Sequence, residues 1–496
     1  LYTLESNYSR KDNLISDKLP SLGTATGKEY ASGSRIHWAT RSFFGRLNYA
    51  FADKYLIELS GRRDGSSRFP RGRRWGIFPS GSLSCILSRE NFWESLSKYV
   101  SYAKIRASYG ALGNQDIENY LFIERLPIYS NPPLPYIIGN ERPTYVGMAP
   151  LNSPSLTWEK VNTTNTGIDL GFLNNKLNIS FDYFMRFTYN MLGPVESLPA
   201  VLGTEVPRSN NATLRTNGFE LMISWKQTIS GFRYELTGML SNAKTVILEY
   251  NNPQYLLSAP YYKGKVLGEI WGYTTLGFFQ SDEEAQNWDQ SYITPEPWTA
   301  GDIKYADLNK DGKIDPGKNT LKDHGDLSII GNSTPQYLYS FLANAGWKGF
   351  DLSMIWQGVG KRDLWLNSPH FWGVGWIWTS VAFKEHMNYW TENNINAYFP
   401  KPRMNKAFRN RQVQTRYLQN GAYLRLKSLQ LGYTVPAKIS QRVFVKSFKI
   451  FCAGENLLTI TKLIKTFDPE TTGGAYGNGF IYPLQKTWSF GVNLTF

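Results

Sequence analysis

The chain of 496 residues could hold several ordinary domains or one very large one, and 15% of its residues are aromatic. It contains no run of about 18 consecutive apolar residues, which excludes a helical membrane protein. Its net charge of +14 comes without basic runs, which argues against a nucleic-acid partner and fits a surface near anionic lipid or sugar phosphates.

Segment after segment alternates apolar and polar residues, which is the pattern of strands with one apolar and one polar face. About thirteen strands are predicted, near 36–51, 54–66, 76–88, 100–112, 157–171, 176–190, 213–228, 231–246, 335–346, 350–362, 420–434, 443–458 and 485–496. The last strand shows the pattern most clearly, because its apolar face is formed by Trp488, Phe490, Val492, Leu494 and Phe496.

Short and long connections alternate between these strands. Tight turns are predicted at Ala52-Asp53, Asn174-Asn175, Ser230-Gly231 and Lys348-Gly349, and long connections at 113–155, 186–212, 247–334, 362–419 and 459–484. An outer-membrane barrel has short periplasmic turns and long outer loops, whereas a soluble sandwich distributes its loops over both ends. The predicted fold is therefore all-β, a transmembrane antiparallel β-barrel with extracellular long loops and a periplasmic C-terminus.

Thirteen is an odd number, and single-chain bacterial barrels have even strand numbers because no edge is left unpaired in lipid. The chain is therefore predicted to be the C-terminal part of a larger barrel, with the first strands lying outside it. Within the segment 423–435 the apolar residues change from even positions (Leu424, Leu426) to odd positions (Leu429, Leu431, Tyr433). This switch predicts a β-bulge, or a part of the strand above the membrane.

The stretch 301–315 has the first half of an EF-hand calcium loop. Its candidate calcium ligands are Asp307, Asn309, Asp311, the backbone carbonyl of Lys313, and Asp315. Position 12 is Lys318, a cation that would repel the metal, although Asp323 and Asp326 follow. Prolines and glycines on both sides leave no helix pair, which argues against a regulatory EF-hand. A bound calcium ion and an ordinary turn both remain open.

One aromatic stretch in the connection 362–419 provides candidate substrate-binding residues: Phe371, Trp372, Trp376 and Trp378. Exposed rings stack on sugars or pack against a protein lid, and the alternative is that they pack the loop itself or seat it at the membrane interface. The four histidines are far apart, and no acid pair, triad or metal cluster commits the chain to catalysis. We therefore expect a protein that is not an enzyme.

Several ordered motifs resemble the SusC-like (SusC/RagA-type) branch of the TonB-dependent outer-membrane transporters of the Bacteroidota. They include RRDGSSRFPRGRRWGIFPSGSLS (62–84), KIRASYGALGNQD (104–116), RTNGFELMISW (215–225), GDIKYADLNKDGKID (301–315), YLRLKSLQLGYTVP (423–436) and GENLLTITKLIKTFDPE (454–470). The terminal strand ending in Phe496 looks like the barrel-assembly signal of outer-membrane proteins. The resemblance covers nearly the whole chain.

This resemblance implies a 22-stranded barrel with an N-terminal plug that lies outside the chain. It also implies import of an oligosaccharide, glycan fragment or peptide, energised by TonB, with a SusD-like lipoprotein as an outer lid. Two transporter–lipoprotein pairs would form a dimer in such an assembly. The alternative is a barrel that only anchors a surface binding protein or enzyme.

Overall fold

The predicted strands form one antiparallel sheet, which we call the wall. The computed structural model of the chain describes residues 2–18, 21–129, 145–149, 151–193, 209–373, 382–403, 407–440, 442, 444–473 and 479–496. Strands that follow one another along the chain are neighbours in this 13-stranded sheet. The wall strands are β1 (Thr40–Phe51), β2 (Tyr55–Ser66), β3 (Trp75–Ile86), β4 (Val100–Asn114), β5 (Glu159–Phe172), β6 (Leu177–Gly193), β7 (Ser209–Ile229), β8 (Phe232–Glu249), β9 (Gln336–Trp347), β10 (Phe350–Lys361), β11 (Tyr423–Thr434), β12 (Ser447–Thr461) and β13 (Thr487–Thr495).

The first predicted strand, 36–51, was wrong at its start. The chain changes partner at Ala39, because the backbone N–H of Ala39 donates to Ser67 Oγ (2.9 Å) and its carbonyl accepts from the backbone N–H of Ser67 (3.0 Å). The residues before it, Glu29–Trp38, form a separate hairpin with Tyr2–Lys11. The wall therefore begins at Thr40.

The predicted long connection 186–212 was also too long. The ladder between β6 and β7 continues through a register shift near Met191 up to Gly193, and it resumes at Ser209. Backbone pairing does not require alternating side chains, so the strands extend beyond their apolar pattern. The segment 194–208 lies outside the described residues.

The four predicted tight turns are confirmed by their backbone angles. Both central residues have positive φ at Ala52-Asp53, Asn174-Asn175, Ser230-Gly231 and Lys348-Gly349. Positive φ at two successive positions is the mark of the type I′ hairpin, whose twist matches that of the flanking strands. These turns all lie at one end of the wall, which we call the turn end, and the long connections leave from the loop end.

The register of the wall brings most of the apolar residues of its strands onto one face. Ile179 of β6 lies between Leu170 and Ile223, and Phe490 of β13 lies opposite Cys452. The face exposes many large apolar side chains, among them Leu47, Ile57, Leu83, Phe181, Phe341, Leu431, Trp488, Phe490, Val492 and Leu494. Phe496 follows the end of β13 by one residue.

The parity switch in 423–435 is confirmed as a bulge. Against β10 the partners of β11 jump from Leu426 to Ser428, which leaves Lys427 as the extra residue, and against β12 Lys427 faces the two skipped residues Asn456 and Leu457. The bulge restores the apolar face, because Leu426 and Leu429 lie opposite Trp356 and Met354 on the same side of β10.

The remaining elements are short and lie outside the wall. They are the strand pairs Ile128–Tyr129 with Tyr145–Val146, Glu269–Tyr273 with Leu327–Asn332, Thr275–Phe278 with Ile303–Tyr305 and Asp363–Leu364 with Gln419–Asn420, and the helices α1 (Asp282–Gln286), α2 (Pro369–Trp372) and α3 (Ala437–Ser440). A small core of Phe69, Phe78, Leu156 and Trp158 fills the base of the first loops. Within the described part of the chain, no helix has the length and apolarity to cross a membrane.

Candidate functional site in the packed long loops

Three long connections of the loop end share one hydrophobic core, which we call the loop core. The connections follow β8, β10 and β12. The loop core contains Tyr273, Phe278, Phe279, Ala285, Trp298, Ile303, Tyr305, Ile314, Leu364, Leu366, Phe371, Trp372, Trp390, Ala397, Phe399, Tyr417, Leu463 and Phe467. Most of these residues are aromatic, and aromatic side chains bury large areas with defined ring contacts. The long loops therefore form a packed unit of their own above the wall.

Phe371 and Trp372 are buried in this core. The ring of Trp372 lies 4.7 Å from that of Tyr417, and its indole N–H donates to the carbonyl of Leu366 (3.1 Å). Phe371 is only 1% exposed and contacts the ring of Phe399 in its own connection and that of Phe467 in the connection after β12. Both residues therefore pack the loop itself. Trp376 and Trp378 lie outside the described residues, and their role in substrate binding stays a prediction.

A buried carboxylate, Asp302, joins two of the long connections. Its side chain is fully buried and accepts from Arg403 (2.8 Å), Arg409 (3.3 Å) and the amide of Asn410 (2.9 Å). Arg409 is itself only 3% exposed at its side chain and also pairs with the half-exposed Glu296 (2.9 Å). A buried charge persists only where partners satisfy it, so this cluster fixes how the two connections meet.

A second set of buried polar groups reinforces that contact. The backbone N–H of Tyr305 donates to Gln290 Oε1 (2.7 Å), and the Tyr305 hydroxyl donates to the carbonyl of Arg409 (2.8 Å). Gln414 Nε2 donates to the same hydroxyl (3.3 Å). Burial raises the pKa of Tyr305 well above its ordinary value, so the hydroxyl remains a neutral donor.

The calcium-like segment lies at the edge of the loop core, where Ile314 enters it. The Asp307 carboxylate accepts from the backbone N–H groups of Lys310 (2.6 Å) and Gly312 (2.9 Å). Asn309 and Asp311 are exposed, and each accepts from the backbone two residues later. Among the described residues, no group of three or more acidic, histidine or cysteine side chains is close enough to hold a metal ion.

Asp326 closes this loop from a distance in the sequence. Its buried carboxylate accepts from the backbone N–H groups of Leu308 (2.6 Å) and Asp315 (2.9 Å). Burial raises the pKa of the Asp326 carboxyl, and these backbone hydrogen bonds oppose that rise. Asp326, eight residues beyond the position-12 residue Lys318, therefore closes the loop by accepting backbone hydrogen bonds. Calcium binding at Asp307, Asn309, Asp311, Lys313 and Asp315 stays a prediction.

If calcium binds this loop, Asp311→Ala is expected to abolish calcium-dependent protection of residues 301–326 from hydrogen exchange. Asp326→Asn is the control, because losing a buried backbone cap weakens the loop by about 1–3 kcal/mol with or without calcium. Hydrogen exchange measured in calcium and in chelator checks both. The same response to calcium in wild type and Asp311→Ala would contradict a metal site.

The connection after β12 is held to the wall by charged side chains. Arg425, buried at the base of the loops, donates to Asp468 (2.7 Å), and Lys427 at the bulge donates to Glu470 (2.6 Å). Arg362, at the end of β10, donates to the carbonyl of Pro469 (3.4 Å). The bulge thus places a cation where the loop returns across the wall, which explains why β11 departs from regular alternation.

The polar face of the wall carries a charge cluster that sequence patterns did not single out. Arg106 of β4 donates to Asp169 of β5 (3.1 Å) and to Asp182 of β6 (2.5 Å), and Ser180 donates to Asp169 (2.7 Å). Each residue occupies a polar position of its strand, so the pairing register was the signal that could have found the cluster.

These features define a class of protein. A 13-stranded antiparallel wall with one apolar face, tight turns at one end and packed loops at the other is the wall of an outer-membrane-type β-barrel. More particularly, the chain belongs to the family described as TonB dependent receptor-like, beta-barrel, whose family model matches residues 2–457.

Individual relatives agree with this membership. The chain is 28% identical over 481 residues to a TonB-dependent receptor of Formosa agariphila, across 92% of this chain and 45% of that protein. It is 26% identical over 482 residues to the TonB-dependent receptor SusC of Bacteroides thetaiotaomicron, across 92% and 44%. The structure of the RagAB peptide transporter matches with a TM-score of 0.78 and 22% identity, covering 100% of this chain and 52% of that chain.

The chain therefore spans about half the length of the curated relatives it matches. These relatives are named as receptors, which agrees with the expectation that the chain is not an enzyme. The TM-score of 0.78 to the peptide transporter shows a shared fold, and at 22% identity this likeness extends to the fold alone.

Proposed function

We propose that the chain forms the C-terminal barrel part of an outer-membrane transporter of the SusC/RagA type. The wall supplies a lipid-facing apolar surface and a polar inner surface, and the loop core supplies a structured entrance. The observation that carries the proposal is that one sheet has an apolar face along its strands and three long connections packed together at its loop end. A barrel that only anchors another protein would not need three connections packed into one unit above its opening.

The long loops face outward in this proposal, and the turn end and the C-terminus face the periplasm. Long outer loops and short periplasmic turns are the rule for outer-membrane barrels. The plug and the first strands belong to the part of the protein that lies outside this chain, and 1–496 is the C-terminal part of the barrel. The connection 247–334 is its longest extracellular loop region.

The proposed partners are TonB, which contacts the missing N-terminal part, and a SusD-like lipoprotein above the loop core. The RagAB structures that share this fold are described as a peptide transporter and as a peptide importer in open and closed states. The proposed cargo is an oligosaccharide, a glycan fragment or a peptide. The dimer of two transporter–lipoprotein pairs stays a prediction.

The experiment uses the full-length protein in its native host. Uptake of labelled oligosaccharides and peptides is compared in wild type, in a strain lacking this protein and in a strain lacking TonB activity. We expect uptake of one cargo class to require both, and mass spectrometry of the ligand that copurifies with the intact complex identifies it. Uptake that needs neither the protein nor TonB would contradict transport.

The alternative is a barrel-anchored surface binding protein or enzyme. It predicts that cargo binds to or is altered at the cell surface when TonB activity is lost. It also predicts that cargo enters neither wild-type cells nor cells that lack TonB activity. The same uptake series distinguishes this result, since surface binding and periplasmic accumulation are measured separately.

A further inference from the structure

The apolar face of the wall carries a cluster of arginines and aromatic rings at its loop end. We call Arg41, Phe43, Arg63 and Trp75 the rim cluster. Phe43 lies opposite Arg63 on the neighbouring strand, and the rings of Phe43 and Trp75 stack at 6.1 Å. The Arg41 guanidinium lies 5.0 Å from the Phe43 ring, and that of Arg63 lies 4.9 Å from the Trp75 ring. The two cations are therefore held over one aromatic platform.

Within the part of the chain that the structure describes, the rim cluster has no acidic partner. Arg62, the preceding residue, points to the opposite face and pairs with Asp64 at 3.3 Å. By contrast, neither Arg41 nor Arg63 forms an ion pair with any residue that the structure describes, and both side chains are exposed. Arg71 and Arg73 add two exposed cations in the loop directly above. The outer surface here carries positive charge that its own strands do not neutralise.

The position of the cluster on the wall is set by strand geometry. Arg41 precedes Phe51 by ten residues along β1, which is about 33 Å along the strand and about 25 Å in height at a tilt near 40°. Phe51 and Tyr55 stack at the turn end of the same strand pair (6.4 Å). An apolar barrel band is about 25 Å tall and is flanked by aromatic girdles at both interfaces. The rim cluster therefore lies at the headgroup level on the loop side.

We propose that the rim cluster binds the phosphate of an anionic membrane lipid in the leaflet on the loop side. This inference rests on the proposed membrane-spanning function. Guanidinium groups form paired hydrogen bonds with phosphate oxygens, and the aromatic platform suits the interface between headgroup and acyl chain. Ile77 is exposed beside Arg63, and the exposed side chains of Leu47 and Leu59 lie on the same face toward the turn end, past the glycine pair Gly45 and Gly61, so together they offer a surface for the acyl chains. A lipid fits this combination better than free phosphate, which has nothing to place on the apolar strip.

The test uses purified full-length protein in neutral detergent, with phosphatidic acid and phosphatidylcholine as lipid probes and native mass spectrometry as the readout. The double substitution Arg41→Gln/Arg63→Gln is expected to weaken phosphatidic acid binding by about 10- to 30-fold, since each cation near a lipid surface is worth about a factor of five. Arg62→Gln is the matched control, because it removes the same charge from the opposite face. It is expected to stay within about twofold of wild type.

A charge-preserving variant keeps the test independent of folding. Arg41→Lys/Arg63→Lys is expected to lose less binding than the glutamine variant, because it keeps the charge and loses the paired hydrogen bonds, whereas equal loss in this variant, in the glutamine variant and in Arg62→Gln would overturn the proposal. Equal affinity of wild type for phosphatidylcholine, or full displacement of phosphatidic acid by the same concentration of inorganic phosphate, would also overturn it. Heat-modifiable migration in gels reports barrel assembly separately. Failure of the wild-type protein to assemble, or uptake that does not require TonB activity, would count against the proposed function instead.

Discussion

Asp302→Ala is expected to loosen the packed long loops by about 3–5 kcal/mol while the wall remains assembled. The substitution removes the carboxylate that Arg403, Arg409 and Asn410 share. Arg409, only 3% exposed at its side chain, would then be a buried cation without its buried partner. Hydrogen exchange of 296–306 and 407–417 should rise strongly, and heat-modifiable migration of the barrel should be unchanged.

Glu296→Ala is the matched control for this prediction. Glu296 pairs with the same arginine at 2.9 Å, but its side chain is 44% exposed, and exposed ion pairs contribute only about 0–1 kcal/mol. Its effect on hydrogen exchange should therefore be small. Equal effects of the two substitutions would show that burial of Asp302 does not hold the connections together.

The wall was predictable from the sequence because its strands obey a period of two over ten residues or more. The pattern in 177–183, for example, assigns Ile179 and Phe181 to the face on which the register places Leu170 and Ile168. Tight turns were equally readable, since Ser230-Gly231 and Lys348-Gly349 tolerate positive φ between two such strands. Strand alternation and turn residues depend on neighbours along the chain, so they can be recognised without knowledge of the rest of the barrel.

The loop core was not predictable because its contacts join distant segments. Phe371 could be assigned either to a binding surface or to packing, and the answer depended on Phe399, Tyr417 and Phe467 from other parts of the chain. Asp302 likewise meets its partners more than a hundred residues later. Irregular connections have no period that would align such residues. The rim cluster shows the same limit, because the register between β1, β2 and β3 brings Arg41, Arg63 and Trp75 together, and the period of a single strand does not contain it.

The first strand shows how backbone contacts divide what was predicted as one element. Apolar residues alternate at Ile36 and Trp38 and again at Leu47, Tyr49 and Phe51, which favoured one strand from 36 to 51, although the two sets fall on even and odd positions. The structure divides it at Ala39, where Ser67 provides both hydrogen-bond partners of the backbone. The change from even to odd positions agrees with this division, but Ser67, which fixes its place, lies 28 residues further along the chain.

Ile223→Arg is expected to impair assembly of the barrel more than Ser224→Arg on the same strand. Ile223 is 41% exposed on the apolar face, between Ile179 and Gly238. It lies six residues from the end of β7, which is about 15 Å in height at a tilt near 40° and so close to the middle of the apolar band. Charge at that depth costs about 2–4 kcal/mol.

Ser224 is the matched control because its side chain lies on the polar face away from the Arg106 charge cluster. Ser180 already binds Asp169 beside Arg106, so an arginine there would add a second guanidinium to an occupied cluster. Ser224 instead lies on the polar face opposite Asn178 and Thr237, where a long cation can reach water in the lumen. Urea midpoints and the fraction of heat-modifiable protein measure the difference. Equal tolerance of the two arginines would reverse or abolish the assignment of faces, and with it the membrane level on which the rim cluster depends.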